Sequence, residues 1–373
     1  MVEVRGLEDV VAADSSICYI DGDRGILSYR GIDIHELAEK SSFEEVCFLL
    51  REGRLPKREE LEGIRAEIGR QRPLDRETLE LLSSLSRRSA PMDALRTAVS
   101  ALADTDPDTP DQGLEGNRRK AVRLTAQIAT VVAAFHRLRQ GKAAVPPDPG
   151  RTHADDFLRM LNGQTARSAE IHALDVALVL HADHEFNAST FAARVTAATL
   201  ADLHSAVTSA IATLKGPLHG GANEAVMRML TEIGTLDRVD DYIHGKLARK
   251  EKVMGFGHRV YTTEDPRATH LRAMSKQVAE SSGQTRWYDM SRRIEQLMKE
   301  EKGLNCNVDF YSASVYFMLG IPSDLFTSLF AVSRIAGWTA HVLEQYANNR
   351  LIRPRADYAG PPYPQPYVPV EKR

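Results

Sequence analysis

Twelve histidines occur in the chain, and four of them, His181, His184, His219 and His258, sit in glycine-rich or charged segments instead of on apolar helix faces. The segment Lys215-Gly216-Pro217-Leu218-His219-Gly220-Gly221-Ala222-Asn223 leads into an apolar set at Val226, Leu230 and Ile233 before Gly234, which places His219 at a helix N-terminus. The positive end of the helix dipole disfavours imidazolium, so a neutral His219 could donate a hydrogen bond to an oxygen that gains charge. The plainer reading is a helix-start residue among flexible glycines. Gly255-Phe256-Gly257-His258 holds a G-x-G, but the third glycine of a dinucleotide fingerprint is missing and no strand precedes it, so a Rossmann reading fails. Downstream, Asp265-Pro266-Arg267 reads as N-cap, N1 and N2 of a helix through Leu271, Met274 and Val278. Arg267 and free backbone N–H groups would converge there on a carboxylate or phosphate; the alternative is a solvated first-turn arginine.

Asp309, in Asn307-Val308-Asp309-Phe310-Tyr311-Ser312, precedes another apolar helix, and its spacing alone prefers an N-cap carboxylate to a catalytic base. Arg334 is different. It lies within a stretch, 324–348, that is apolar on all sides, and a guanidinium that cannot shed its proton must face an anion when buried: a protein carboxylate or a bound one. Arg353 and Arg355 extend the supply of anion-binding groups. His181 and His184, at i and i+3, would share a helix face, but their order is not that of the zinc proteases and no third ligand stands at a recognisable spacing. A polar substrate pocket is preferred to a metal site.

These groups need a scaffold, and the periodicity makes it mainly helical. Ser42-Phe43-Glu44-Glu45 is a capping box opening an apolar set at Phe43, Val46, Cys47 and Leu50 that Gly53 closes. Similar spacings run from Met92 to Leu102 behind Pro91, and from Trp287 to Leu297. One hairpin is expected from 17–20 and 26–29 around Asp21-Gly22-Asp23. The segments 104–116 and 141–150 read as loops, and the proline-rich tail from Tyr358 as an extended arm suited to packing on a partner subunit. At 373 residues the chain has length for about two domains. A net charge of −3 offers no basic field for nucleic acid. Three scattered cysteines, Cys18, Cys47 and Cys306, fit a reducing, cytoplasmic compartment, the acidic first fifteen residues carry no secretion signal, and no apolar run is long enough to span a membrane.

Together the stretches ICYIDGDRGILSYRGIDIHELA, LHADHEFNAST, KGPLHGGANE, MGFGHRVY with EDPRA, NVDFYSAS, SRIAGW and NNRLIRPRADYAG resemble the citrate synthase family, in the family's order and along almost the full chain. The resemblance implies a two-domain helical fold: a large domain (1–219 and 315–373) and an inserted small domain (220–314), closing over a cleft, in a homodimer. It implies that Asp309 removes a methyl proton from acetyl-CoA, that His219 stabilises the enol or enolate, and that His258 protonates the carbonyl oxygen of oxaloacetate. Arg267, Arg334 and Arg353, with His184 assisting, would hold the two oxaloacetate carboxylates, Arg353 reaching across from the other subunit. Gly255, Phe256 and Gly257 would lie along coenzyme A, which enters as co-substrate; no permanently bound cofactor and no metal is implied. Many relatives carry a lysine after GHRVY, where this chain has Thr262, and a Tyr-Pro pair before NVDF, where it has Asn305-Cys306. Three other readings compete: a 2-methylcitrate synthase using propionyl-CoA, which differs by one methylene, a non-catalytic helical scaffold, and a metallohydrolase built on His181 and His184.

Overall fold

The computed structural model of the chain describes residues 5–7 and 10–373; Glu3, Glu8 and Asp9, on which the reading of the N-terminus partly rests, lie outside them. Within the described residues are sixteen α-helices and one small antiparallel sheet. The sheet contains the expected hairpin, Cys18–Asp21 paired with Ile26–Tyr29, and a further two-residue strand, Ile32–Asp33, too short to leave an alternating pattern in the sequence.

Local chemistry starts most of the helices that matter. Ser42 and Glu45 form the expected capping box of Phe43–Glu52, and Gly53 ends it at φ 78°. Side-chain caps also open Ala188–Ala197 (Asn187), Pro266–Ser282 (Asp265) and Val308–Met318 (Asn307), each satisfying a backbone N–H that the helix itself cannot. The helices Pro91–Thr105 and Thr285–Lys302 fall where the apolar spacing puts them. The first loop is shorter than its composition implies: the helices on either side extend to Thr105 and from Leu114.

The core is one apolar cluster running from Ile17 to Leu343, with a small satellite around Phe48, Ile64 and Ile68. At its centre the 26-residue helix Leu114–Arg139 packs along Phe326–Ala347, nearly every residue of which is buried. The helix Pro266–Ser282 packs on Val308–Met318 and also reaches Ser168–His181 and Ile34–Lys40. Its first turn therefore lies where the chain's middle third meets the rest. Among the described residues no helix is long and apolar enough to cross a membrane. All three cysteines are free thiols.

Candidate active site

Arg334 is 1% exposed and sits midway along Phe326–Ala347. Its Nε donates to the carbonyl of His181 at 2.7 Å and its guanidinium stacks over Phe330 at 4.5 Å. Among the described residues no carboxylate lies within ion-pair distance of it, and burial pushes its pKa down to about 10. Asp183 acts in the opposite direction from further away. Arg267, 2% exposed, is in the opposite state: its Nε and Nη2 form a bidentate pair with Asp265 at 2.9 and 2.8 Å. Burial alone would raise Asp265, but the arginine outweighs it and holds the carboxylate below its usual range. Asp265 also caps its helix at the Arg267 N–H and accepts from the Val308 N–H, so one buried carboxylate ties together the starts of two helices.

The histidines are held neutral, and two of them, His258 and His219, have a defined proton. The backbone N–H groups of Val260 and Tyr261 donate to His258 Nδ1 at 3.0 and 3.2 Å, which places the ring's proton on Nε2. The Ser189 N–H donates to His219 Nε2 at 3.3 Å and the Ser189 hydroxyl lies 2.8 Å from the same atom, which places that proton on Nδ1. Trp338 Nε1–H in turn donates to the Ser189 hydroxyl. Burial, then Arg267, lowers His258 to about 4; burial, then Arg334, lowers His219 to about 4. His184 is pushed well below its ordinary value by burial and by both arginines, and its Nε2 lies 3.2 Å from the Tyr261 hydroxyl, its ring 5.5 Å from that of His258. His219 lies two residues before the N-cap Gly221, in a turn and not in the helix, so burial, not the helix dipole, keeps it neutral.

Asp309 is not an N-cap either. Asn307 caps that helix by accepting from the Asp309 N–H, and this frees the Asp309 carboxylate. Burial raises it to about 6, against the pull of Arg267 and Arg334. Both arginines thus act on Asp309, Arg267 on His258 and Arg334 on His219, so groups from four separate segments are brought near one another. His181 and His184 do not share a helix face, because Ser168–His181 ends at His181 and His184 stands in the loop beyond; His181 bonds its own helix at the Ala177 carbonyl. Arg353 is exposed on the extended C-terminal segment, and no contact within the chain carries it to the site.

Of the two glycines before His258, Gly255 serves the protein's own packing, whereas the space beside Gly257 is open. A Cβ on Gly255, at φ 86°, would stand 2.8 Å from the Phe310 ring, and Phe256 packs on that ring at 4.6 Å. Asn307 bonds both glycines, its N–H to the Gly255 carbonyl and its Nδ2 to that of Gly257, which couples the His258 loop to the Asp309 helix. The N-terminal hairpin holds the loop from the other side. Thr262 bonds Gly22 through its N–H and Asp23 through its hydroxyl, and a Cβ on Gly22 would lie 2.0 Å from the Val260 carbonyl oxygen. We therefore expect Gly22→Ala to push the loop off the hairpin and lower kcat about tenfold, of the order lost by small misplacements of catalytic groups. Circular dichroism should stay native; an unchanged kcat would mean that the hairpin does not hold His258. Ser189, Asp265, Asn307 and Gly22 are the site's missed members: each is a common cap or turn residue, and only its contacts give it a role.

A carboxylate raised toward neutrality, two neutral imidazoles and two buried arginines are a set of groups that can carry out acid–base chemistry on an anion. The comparisons with known proteins agree. The citrate synthase, C-terminal domain family matches residues 6–355. The chain is 52% identical to citrate synthase 2 of Bacillus subtilis (strain 168) over 100% of both chains. The crystal structure of citrate synthase from Pyrobaculum aerophilum superposes with a TM-score of 0.92 at 41% identity, covering 99% of this chain and 95% of that one. The Thermoplasma acidophilum citrate synthase, in a ternary complex with carboxymethyl coenzyme A and oxaloacetate, gives 0.92 at 33% identity over 99% of each chain. The chain belongs to the citrate synthase family, and it is accordingly an enzyme, a transferase that catalyses a condensation, which retires the scaffold reading.

Proposed function

We propose that the enzyme condenses acetyl-CoA with oxaloacetate and hydrolyses the resulting citryl thioester to citrate and coenzyme A. The observation that carries the choice of substrate is Arg334, a buried guanidinium with no carboxylate of its own, which a substrate carboxylate would complete. Arg267, already neutralised by Asp265, still has Nη1 to offer, and His184 stands beside it. Arg353 of a second copy would supply the remaining charge for a dianion, which makes the working unit a homodimer. The segment 220–314 acts as the small domain and 1–219 with 315–373 as the large one, and closure between them excludes water until the thioester is formed.

Asp309 takes a proton from the methyl carbon of the acetyl thioester while His219 Nδ1–H bonds the thioester oxygen, so that charge never accumulates on carbon. The enol carbon then attacks the ketone carbon of oxaloacetate, and His258 Nε2–H donates to the ketone oxygen as it becomes a hydroxyl. Both donors suit this role because both are neutral: a base near 6 needs a partner on the oxygen to ionise so weak a carbon acid. Gly255, Phe256 and Gly257 line the approach of coenzyme A.

The test is kcat/KM for acetyl-CoA and for propionyl-CoA at saturating oxaloacetate, followed by thiol release. Acetyl-CoA is expected to lead by about 10- to 200-fold, the discrimination that one methylene gives in a pocket. A lead for propionyl-CoA would make the enzyme a 2-methylcitrate synthase, and no thiol release with either would overturn the reading.

A further inference from the structure

We propose that His35, His270 and Glu39 form a binding site for a divalent transition metal, Zn²⁺ or Ni²⁺, where the helix Ile34–Lys40 meets the helix Pro266–Ser282. His35 Nδ1 and His270 Nε2 face each other at 2.8 Å, with ring centroids 5.0 Å apart. The two rings come from helices more than 200 residues apart in sequence that pack directly on one another. Imidazole nitrogen is the commonest metal ligand, and here two face one another. Glu39 lies one turn after His35 on the same helix, the i, i+4 spacing that lets two side chains share a ligand. Asp33 is already engaged as the cap of the His35 N–H, which leaves Glu39 as the third ligand.

The rings need only a small adjustment, while the Glu39 carboxylate, which does not stand within 4.8 Å of both ring nitrogens, has to swing in by a rotamer change at its exposed position. Two nitrogens bound at about 2.0 to 2.1 Å in a tetrahedral site stand roughly 3.4 Å apart, so the rings must open by about half an ångström. His35 is exposed and His270 half-buried, so both can turn. On binding, the proton now shared between the rings moves to the remote nitrogen of its own ring through solvent, and water fills the fourth position. The other cluster of metal-ligating groups, Glu264, Glu295 and Cys306, has the Arg272 guanidinium in its middle, bonded to both carboxylates and 3.8 Å from the thiol, and is thereby already filled by a cation.

His270 is one turn beyond Arg267 on the same helix, so a bound metal would tie the arginine's helix to the N-terminal segment. This consequence rests on the substrate role given to Arg267; the binding itself does not. The experiment is calorimetric titration of untagged, chelator-stripped enzyme with Zn²⁺, together with the electron paramagnetic resonance spectrum of the Cu²⁺-loaded protein. We expect one equivalent per chain at micromolar Kd and a copper spectrum with two coordinated nitrogens. His35→Gln and His270→Gln should each weaken this binding at least 30-fold, and Glu39→Gln by severalfold, all three keeping the thermal midpoint of the metal-free enzyme. Equal affinity and stoichiometry in the wild type and His270→Gln, or no Zn²⁺ binding at 100-fold excess, would overturn the site. Activity of the metal-free variants with acetyl-CoA reads the catalytic assignment separately.

Discussion

Asp309→Asn is expected to lower kcat by at least a thousandfold while oxaloacetate still binds, and at the same time to make the folded protein more stable. The first effect follows from its place. The amide keeps the shape of the side chain at the start of Val308–Met318 and its cap on Asn307, but it cannot take a proton. The second follows from the sign of the shift. Burial raises the Asp309 carboxyl from 3.8 to about 6, so the folded state holds this proton more tightly than the unfolded chain does. Its contribution to stability is therefore complete below pH 4 and is lost as the pH rises through about 6. At pH 8 the native enzyme carries a desolvated charge costing about 3 kcal/mol, which asparagine does not carry. A thermal midpoint a few degrees higher in the variant at pH 8, with the gain vanishing by pH 4, is the expected result. In the wild type kcat/KM should rise with pH through about 6 as the base of the free enzyme ionises. Turnover retained by Asp309→Asn, or a wild-type profile flat from pH 5 to 7, would remove this residue from the role of base.

Arg334→Met should raise the KM for oxaloacetate 100-fold or more with a smaller effect on the thermal midpoint. Methionine fills much of the arginine's volume and retains the packing on Phe330. Removing one partner of a buried, hydrogen-bonded charge pair typically costs 2 to 5 kcal/mol of binding. The free enzyme responds differently, because in it the guanidinium is buried with no carboxylate against it. Removing it forfeits the hydrogen bond to the His181 carbonyl and relieves an uncompensated charge, two terms of opposite sign. A protein held together by Arg334 would show the reverse pattern: a large fall in the midpoint and an unaltered KM. That result would assign the arginine to structure instead of substrate. Arg267 offers the contrast within the same site, since its removal leaves Asp265 buried and alone and should cost stability as well as binding.

Much of this protein was legible from the order of its residues. The capping box at Ser42 and the apolar sets behind Pro91 and at Trp287 depend on contacts three and four residues apart, so the chain's own spacing determines them. The burial of Arg334 followed from apolar residues on every side of its helix, and that alone required an anion. The tertiary structure decided which groups keep their charge and where each proton sits. Asp309 resembled a cap until Asn307 took the cap, and His219 resembled a helix-start residue until Ser189, thirty positions away, accounted for one of its nitrogens. Arg267 and Arg334 both read as anion-binding arginines in the sequence, but among the described residues one is paired with Asp265 and the other has no carboxylate against it. Proton positions and pKa values depend on desolvation and on neighbours brought from distant segments, and spacing along the chain carries no record of either.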